Sequence, residues 1–334
     1  MVAAAPPQAL CKGFDLGTSR IVLASLDGKS VDFASQLNAF VDLPHTKMTE
    51  KMLVSEGILH QIEKQRIYAY GNRTDEFAKF LNGDTRRPMQ SGLLNPSEPK
   101  NLQMIELLIE KLCGKSPKGE KVCFSIPSAP SERKSDLIFH ERSVLNIFER
   151  LGYQVQSVNE GLAIVYAELK DANFTGIGMS FGGGMCNICL AYLGMPVFTL
   201  ATTRAGDYID HSAASVTGET PTTVRLHKES GFRISTVDGN SLDHALSIYY
   251  IDVIETAVKA LAQALAETKK LPKFAGPIPI VCAGGTSLAK GFANELKRAI
   301  EAADLPIAIS EIICPKDPLN TTAKGALVAA MLNM

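Results

Sequence analysis

The sequence predicts an α/β fold made of two similar halves with a ligand cleft between them, and three observations carry that expectation. A short apolar run breaks at three consecutive glycines and resumes within Gly176–Gly194. The same design stands near the N-terminus, where Gly13–Ser19 is followed by Ile21–Gly28, which lines up with Ile188–Gly194. Around these copies, apolar runs of strand length alternate with segments of helical periodicity, the pattern of sheets flanked by helices.

Glycines between two apolar runs make a tight turn whose bare backbone can lie against a ligand. Outward-pointing turn amides donate to anions, and the lack of Cβ atoms lets phosphate oxygens come close. One such turn alone reads as an ordinary hairpin. Two at half-chain spacing read as a duplicated fold that grips one ligand from both sides.

Composition sets the bounds. A chain of 334 residues with 46% apolar content can fill two cores. A net charge of −1 with both signs interspersed provides no field to gather nucleic acid or anionic lipid, so neither is expected as a partner. Seven cysteines without regular spacing argue against a disulfide framework and for a reducing compartment. Cys186 and Cys189 lie three apart on a strand and face opposite ways, which suits buried small side chains better than a metal or redox pair. No apolar run approaches the roughly 18 residues of a membrane span. Residues Met1–Cys11 lack both the basic start and the apolar core of a signal peptide, so a flexible leader and a cytoplasmic location are expected.

Each element then follows in order. After the first loop and its return strand, residues 29–66 are mixed and weakly periodic and read as a small surface subdomain. Ile67–Gly71 is a strand and turn, Asp75–Leu81 a short helix, and Arg86–Leu94 a loop entering a helix at Asn101–Cys113 whose Met104, Leu107, Leu108 and Leu112 share a face. Gly114–Ser116 resembles the end of a P-loop but follows a helix and lacks the upstream glycine, so it reads as a solvated turn before a buried strand at Val122–Ile126. Pro127–Lys134 is a polar loop, and a helix follows from about Phe139 to Leu151, ended by Gly152. Strand Val155–Val158 leads through Asn159 to an apolar helix at Leu162–Leu169, which feeds the second glycine loop. Arg204–Asp210 opens another helix, and residues 218–243 are polar and broken by turns. Leu246–Lys269 is a long helix, and a buried strand at Pro277–Cys282 ends in Ala283–Ser287. That third strand, glycine, helix unit can place a ligand at a helix N-terminus. Helices at Leu288–Ala302 and Thr322–Leu332 close the chain.

With these segments in hand a resemblance emerges. Phe14–Ser19 resembles the first phosphate loop of the superfamily of actin, DnaK-type chaperones and hexokinase, Phe181–Gly184 resembles its second, and Ala283–Ser287 resembles its adenosine motif. Asn159–Ala163 and Thr322–Leu327 resemble the two connecting helices at the hinge. Within the superfamily, Arg87–Leu94 and Arg204–Asp210 are similar to segments of the bacterial actins of the MreB and MamK type. The resemblance runs in order from residue 12 to 331.

What it implies is an actin-like ATPase fold with a leader at 1–11, domain I at 12–160 (small subdomain about 30–70) and domain II at 161–334 (small subdomain about 208–245). ATP or ADP and Mg²⁺ are the implied cofactors. Asp15 would hold Mg²⁺ through water, and Gly17, Thr18 and Ser19 with Gly182, Gly183 and Gly184 would wrap the phosphates. Lys228 and Glu229 would contact the ribose, with a solvated helix face as the plainer alternative. Gly284, Gly285 and Thr286 would face the adenosine. Glu141 would position the attacking water, with Glu132 as competitor, and either carboxylate alternatively only complements a helix dipole. The departure from the family is Ser180, which stands where an acidic residue is usual. It leaves Asp15 as the sole charged anchor of the cation and implies slow hydrolysis with near-normal nucleotide binding.

The implied function is an ATP-dependent cytoplasmic filament, a homopolymer with a possible adaptor or cargo protein. A monomeric chaperone-like or reactivating ATPase is the first alternative, and a small-molecule kinase of the superfamily is the second.

Overall fold

A computed structural model describes residues 11–27, 30–80, 85–116, 119–128, 134–235 and 240–332. The leader, apart from Cys11, and Glu132 lie outside the described residues.

Two five-stranded mixed sheets of the same topology organise the chain. The first takes β1 (Cys11–Leu16), β2 (Arg20–Asp27), β3 (Ser30–Leu37), β9 (Lys121–Ile126) and β10 (Gln154–Asn159) in the order β10-β9-β1-β2-β3. The second takes β11 (Gly176–Phe181), β12 (Cys186–Tyr192), β13 (Met195–Thr202), β14 (Ile278–Ala283) and β15 (Ile309–Ile313) in the order β13-β12-β11-β14-β15. In both, the hairpin strands are antiparallel and the two crossover strands parallel. The duplication visible in two glycine loops therefore extends to whole sheets.

Between these strands lie α1 (Lys47–Ser55), α2 (Thr74–Phe80), α3 (Asn101–Cys113) and α4 (Lys134–Arg150), then α5 (Glu160–Glu168), α6 (Gly206–Thr217) and α7 (Pro221–Glu229). Helices α8 (Ser241–Glu267), α9 (Phe292–Ala302) and α10 (Thr321–Leu332) complete the second half. A separate small sheet has the order β4-β6-β5, from Phe40–Pro44, Arg66–Tyr70 and Leu59–Glu63, and Met89–Gln90 pairs with Leu93–Leu94 as the short hairpin β7-β8. Strand β3 belongs to the large sheet, so the small sheet begins at Phe40 rather than near residue 30. Alternation in β3 is weak because its side chains are mostly exposed or half-buried, which is why it read as surface chain.

Each large sheet packs its own aromatic core. The Phe14 and Phe148 rings meet edge-on at 5.0 Å in the first half, and Phe181 and Phe292 do so at 4.9 Å in the second. A third cluster lies between them, where α5 and α10 pack on each other and on β1 and β11.

Glycine makes that central packing possible. A Cβ on Gly325 of α10 would lie 1.7 Å from the Ala163 carbonyl oxygen of α5. One on Gly178 of β11 would lie 2.1 Å from the Gly161 oxygen, and one on Gly13 of β1 would lie 2.1 Å from the Leu327 nitrogen. These are backbone atoms, which cannot swing aside as a side-chain tip can.

Gly325→Ala is therefore expected to cost at least about 2 kcal/mol of unfolding free energy, toward or beyond the upper end of overpacking penalties. Gly276→Ala, where an added Cβ meets nothing within 4 Å, should stay within about 0.5 kcal/mol of wild type. Urea unfolding of both variants is the measurement, and equal midpoints would refute the close helix crossing.

Candidate functional site

A cleft of about 390 Å³ lies between the two halves, lined by both hairpin turns, the start of α6, α7 and the loop after β14. The turns are built alike. The Gly17 N–H donates to the Arg20 carbonyl at 3.0 Å, and the Gly182 N–H donates to the Met185 carbonyl at 3.1 Å, so each hairpin closes over the same four-residue span.

The turns also face each other at contact distance. A Cβ on Gly183 would lie 2.5 Å from the Ser19 hydroxyl oxygen, and one on Gly184 would lie 2.5 Å from that of Thr18 and 2.8 Å from the Gly92 nitrogen. Bare backbone from one half thus receives hydroxyls from the other. The Gly92 N–H donates to Thr18 Oγ1 at 2.9 Å, and Met185 packs over Gly92, which ties the β7-β8 hairpin to both turns.

The second turn is braced from behind. The Gly182 carbonyl accepts from the Gly206 N–H at 3.0 Å and from the Thr286 hydroxyl at 2.8 Å, and the Gly183 carbonyl accepts from the Asp207 N–H at 2.7 Å. Gly284 sits at φ +97°, open to glycine without strain, and its N–H donates to the Pro318 carbonyl at 2.9 Å. Gly284, Gly285 and Thr286 thereby join Pro318 and Leu319 on one wall.

Lys228 and Glu229 both line the cleft from α7. The Lys228 ammonium is committed to Asp210, 2.6 Å away with both side chains nearly buried, and also donates to the Gly206 carbonyl at 3.3 Å. Helix α7 had read as broken polar chain because Val224 is its one buried residue. Thr220 caps it and Pro221 starts it. Nearby, Arg225 Nη2 donates to Asp75 Oδ2 at 2.7 Å, joining the second half to α2.

At the floor of the cleft, two carboxylates meet. Asp15 accepts from the Ser125 hydroxyl at 2.8 Å, and Glu160, only 8% exposed, accepts from Asn187 Nδ2 at 2.8 Å. Burial raises Asp15 above the usual carboxylate range despite the Ser125 bond. Burial first, and the Asp15 charge second, raise Glu160 further, against the hydrogen bonds from Ser180 and Asn187.

This corrects the expectation that Asp15 is the only carboxylate at that point. Helix α5 begins at Glu160, its Asn159 cap accepting from the Gly161 and Leu162 amides, and the first turn delivers the acid to the cleft. Ser180 stands beside it as a hydrogen-bonding partner. The missed signal was the acid opening an otherwise apolar helix directly after a capping asparagine.

Glu141 lies elsewhere. It sits on α4 and accepts from the Ser157 hydroxyl of β10 at 2.5 Å, and it is absent from the residues that line the cleft. Its neighbour His140 is buried, and its Nδ1 accepts from the Leu94 N–H at 3.3 Å.

A family model described as Volactin matches residues 10–330. The chain belongs to the Volactin family. Solved structures of other proteins share this fold. A MamK double helical filament matches with TM-score 0.69 at 19% identity, covering 96% of this chain and 98% of that one. MreB5 of Spiroplasma citri bound to ADP matches with TM-score 0.69 at 14% identity, covering 98% and 99%. The ethanolamine utilization protein EutJ from Carboxydothermus hydrogenoformans matches with TM-score 0.57 at 17% identity, covering 98% and 91%. No curated protein matches the sequence. The fold is thus actin-like, two sheet-containing lobes flanked by helices, and no helix among the described residues is long and apolar enough to cross a membrane.

His140 generates a pH prediction. Burial drives its imidazole from 6.5 down to about 4, so between those values the unfolded chain binds a proton that the native one refuses. Stability is then fully present above pH 6.5 and lost as pH falls toward 4. Relative to His140→Gln, which cannot ionise, wild type should lose about 3 kcal/mol across that interval at 1.36 kcal/mol per pH unit. Urea unfolding at pH 7, 5.5 and 4.5 measures the difference, and a constant gap would show that His140 is not buried neutral.

Proposed function

We propose that this chain is an actin-like ATPase that binds ATP and ADP with Mg²⁺ in the cleft and assembles with copies of itself into filaments in the cytoplasm. The observation that carries this reading is the pair of equivalent glycine turns meeting across the cleft. Bare glycine backbone from one turn and hydroxyl-bearing backbone from the other line the cleft beside that contact, the kind of surface that phosphate oxygens approach closely. The reading also draws on the similar structures, one a MamK double helical filament and another MreB5 bound to ADP.

In this scheme Gly17, Thr18 and Ser19 with Gly182, Gly183 and Gly184 hold the phosphates, and Gly284, Gly285 and Thr286 hold the nucleoside. Glu229 is placed to reach the ribose. Lys228 acts one step back, holding Asp210 and the start of α6.

The carboxylate pair fits a hydrated Mg²⁺. Two acids buried together are held partly protonated by burial and mutual repulsion, and a divalent cation removes both penalties. Among the described residues no cluster of three or more His, Cys, Asp or Glu could by itself hold a metal ion. That accords with a cation that keeps several waters and takes one or two carboxylates plus phosphate. When bound, Mg²⁺ would supply positive charge against the phosphates and offset the charge that develops there on transfer. Asp15, held by the Ser125 hydroxyl, would hold the hydrated cation, and Glu160, held by Asn187 and Ser180, would orient the attacking water. Hydrolysis is assigned to Glu160 in preference to Glu141, whose carboxylate is engaged by Ser157 away from the cleft.

Thermal unfolding and sedimentation with Mg-ATP test the proposal. ATP at about 100-fold its Kd should stabilise the fold by about 2.7 kcal/mol, and sedimentable filaments should appear in electron micrographs. Gly183→Val puts a branched side chain against Ser19 and should abolish the protection. Full protection in that variant would overturn the phosphate-loop assignment, and dispersed particles at high concentration would overturn assembly.

Glu160→Gln keeps the shape and hydrogen bonds while removing the charge. It should retain ATP protection and lower phosphate release by ~100-fold, the lower end of general base effects. Ser180→Asp would add a third buried carboxylate and should also slow release. Faster release in Ser180→Asp would restore Asp15 as the sole effective carboxylate and refute the role given to Glu160.

A further inference from the structure

Two thiols meet at the edge of the second sheet. Val281 of β14 and Ile313 of β15 are register partners in a parallel pair, so the next residues, Cys282 and Cys314, stand opposite each other on neighbouring chains. Adjacent strands run about 4.8 Å apart, inside the ~4.4–6.8 Å span of Cα atoms that a disulfide bridges. In a parallel pair, residues at one register position project to the same face, so the two thiols stand on one side of the sheet.

Their burial is opposite. Of the seven cysteines, all within the described residues and all unbridged, Cys314 is the one that is exposed, whereas Cys282 is buried. The hydrogen bond from Cys282 favours the thiolate at Cys314 and brings its pKa down to about 7 against partial burial. The same bond and burial push Cys282 well above its usual value. An accessible thiolate above a buried thiol is the arrangement of an attacking cysteine and its resolving partner.

The pair also sits next to the cleft. Cys282 is two residues before Gly284, whose N–H is bonded to the Pro318 carbonyl, four residues after Cys314. Gly284, Gly285, Thr286, Pro318 and Leu319 all line the cleft.

We propose that Cys282 and Cys314 form a dithiol modification site, oxidised by a low-molecular-weight disulfide to an intrachain cross-link that reshapes the nucleoside wall of the cleft. The Cys314 thiolate attacks one sulfur of the oxidant, forming a mixed disulfide and releasing one thiolate. Cys282 gives its proton to water and attacks Cys314 Sγ, forming the internal bond and expelling the second thiolate. Two protein thiols are oxidised and one disulfide is reduced to two thiols. Drawing the sulfurs together to about 2.05 Å pulls the 314–319 segment against the end of β14. The consequence for nucleotide rests on the function proposed above.

The test treats the full chain with oxidised glutathione and follows it by peptide mapping and hydrogen exchange. A Cys282–Cys314 cross-link should form before any other cysteine reacts, Cys282→Ser should accumulate the glutathione adduct on Cys314, and Cys314→Ser should leave Cys282 unmodified. Amide exchange at residues 284–288 and 317–320 should change on oxidation and revert with dithiothreitol. Affinity for a fluorescent ATP analogue should fall about tenfold in oxidised wild type and stay constant in Cys314→Ser. A stable adduct on wild-type Cys314 without a cross-link overturns the proposal, as does a cross-link that leaves exchange in those loops unchanged. A reduced protein that binds no ATP analogue refutes the proposed function instead, and the mapping and exchange still decide the dithiol.

Discussion

The structure depends on one place where backbone meets backbone, the crossing of α5 and α10 between the two sheets. Close packing of this kind admits no side chain, since a Cβ on Gly325 would fall within covalent distance of the Ala163 oxygen. Three more glycines, Gly13, Gly161 and Gly178, let the crossing sit directly on β1, β11 and β12. Interiors packed to this density transmit position with little slack. Helix α5 follows β10 of the first sheet, and its first turn is thereby held against the second. Glu160, the first residue of that helix, reaches the cleft for this reason.

The same economy governs the glycine turns. Each closes through one backbone hydrogen bond, Gly17 to Arg20 and Gly182 to Met185. The two turns approach because hydroxyls of Thr18 and Ser19 occupy the space that Cβ atoms at Gly184 and Gly183 would need. The brace behind the second turn, from Gly206, Asp207 and Thr286, bonds to its carbonyl oxygens and fixes the turn from one side.

Much of this was legible in the residues because it rests on local patterns. Triple glycine between apolar runs, recurring at half-chain spacing, marked both turns and the duplication, and the shared strand order of the two sheets carries the same symmetry. Periodicity placed α3, α8 and the C-terminal helix within a few residues. What escaped was set by tertiary contacts. Strand β3 has few buried side chains, so alternation could not announce it, and α7 buries one residue. The resemblance gave Glu141, with Glu132 as competitor, the water-positioning role, and only the three-dimensional fold shows the Glu141 carboxylate engaged by Ser157. Glu160 was in plain view within the hinge segment. Its chemistry depends on burial and on Asp15, which is 145 positions away in sequence and adjacent only once the sheets assemble.

The carboxylate pair shows why Ser180 is a substitution with consequences for charge rather than simple loss. An acid there would make a third buried carboxylate beside Asp15 and Glu160, and each added like charge in a desolvated site raises the cost of ionising the others. A hydroxyl at that position donates instead, lowering the cost of keeping Glu160 ionised. Asn187 does the same from β12 and passes the constraint on, its Oδ1 accepting from the Ser128 N–H at 2.8 Å while Ser128 Oγ accepts from Asn159 Nδ2 at 2.8 Å. Because Asn159 also caps α5, the residue that starts the helix and the residue that holds its first acid are joined in one hydrogen-bonded chain. Networks of this kind gain from full satisfaction and lose heavily when one member is removed. The acid charge at the floor of the cleft is thus carried by Asp15 and Glu160, with Ser125, Asn187 and Ser180 as neutral donors to them.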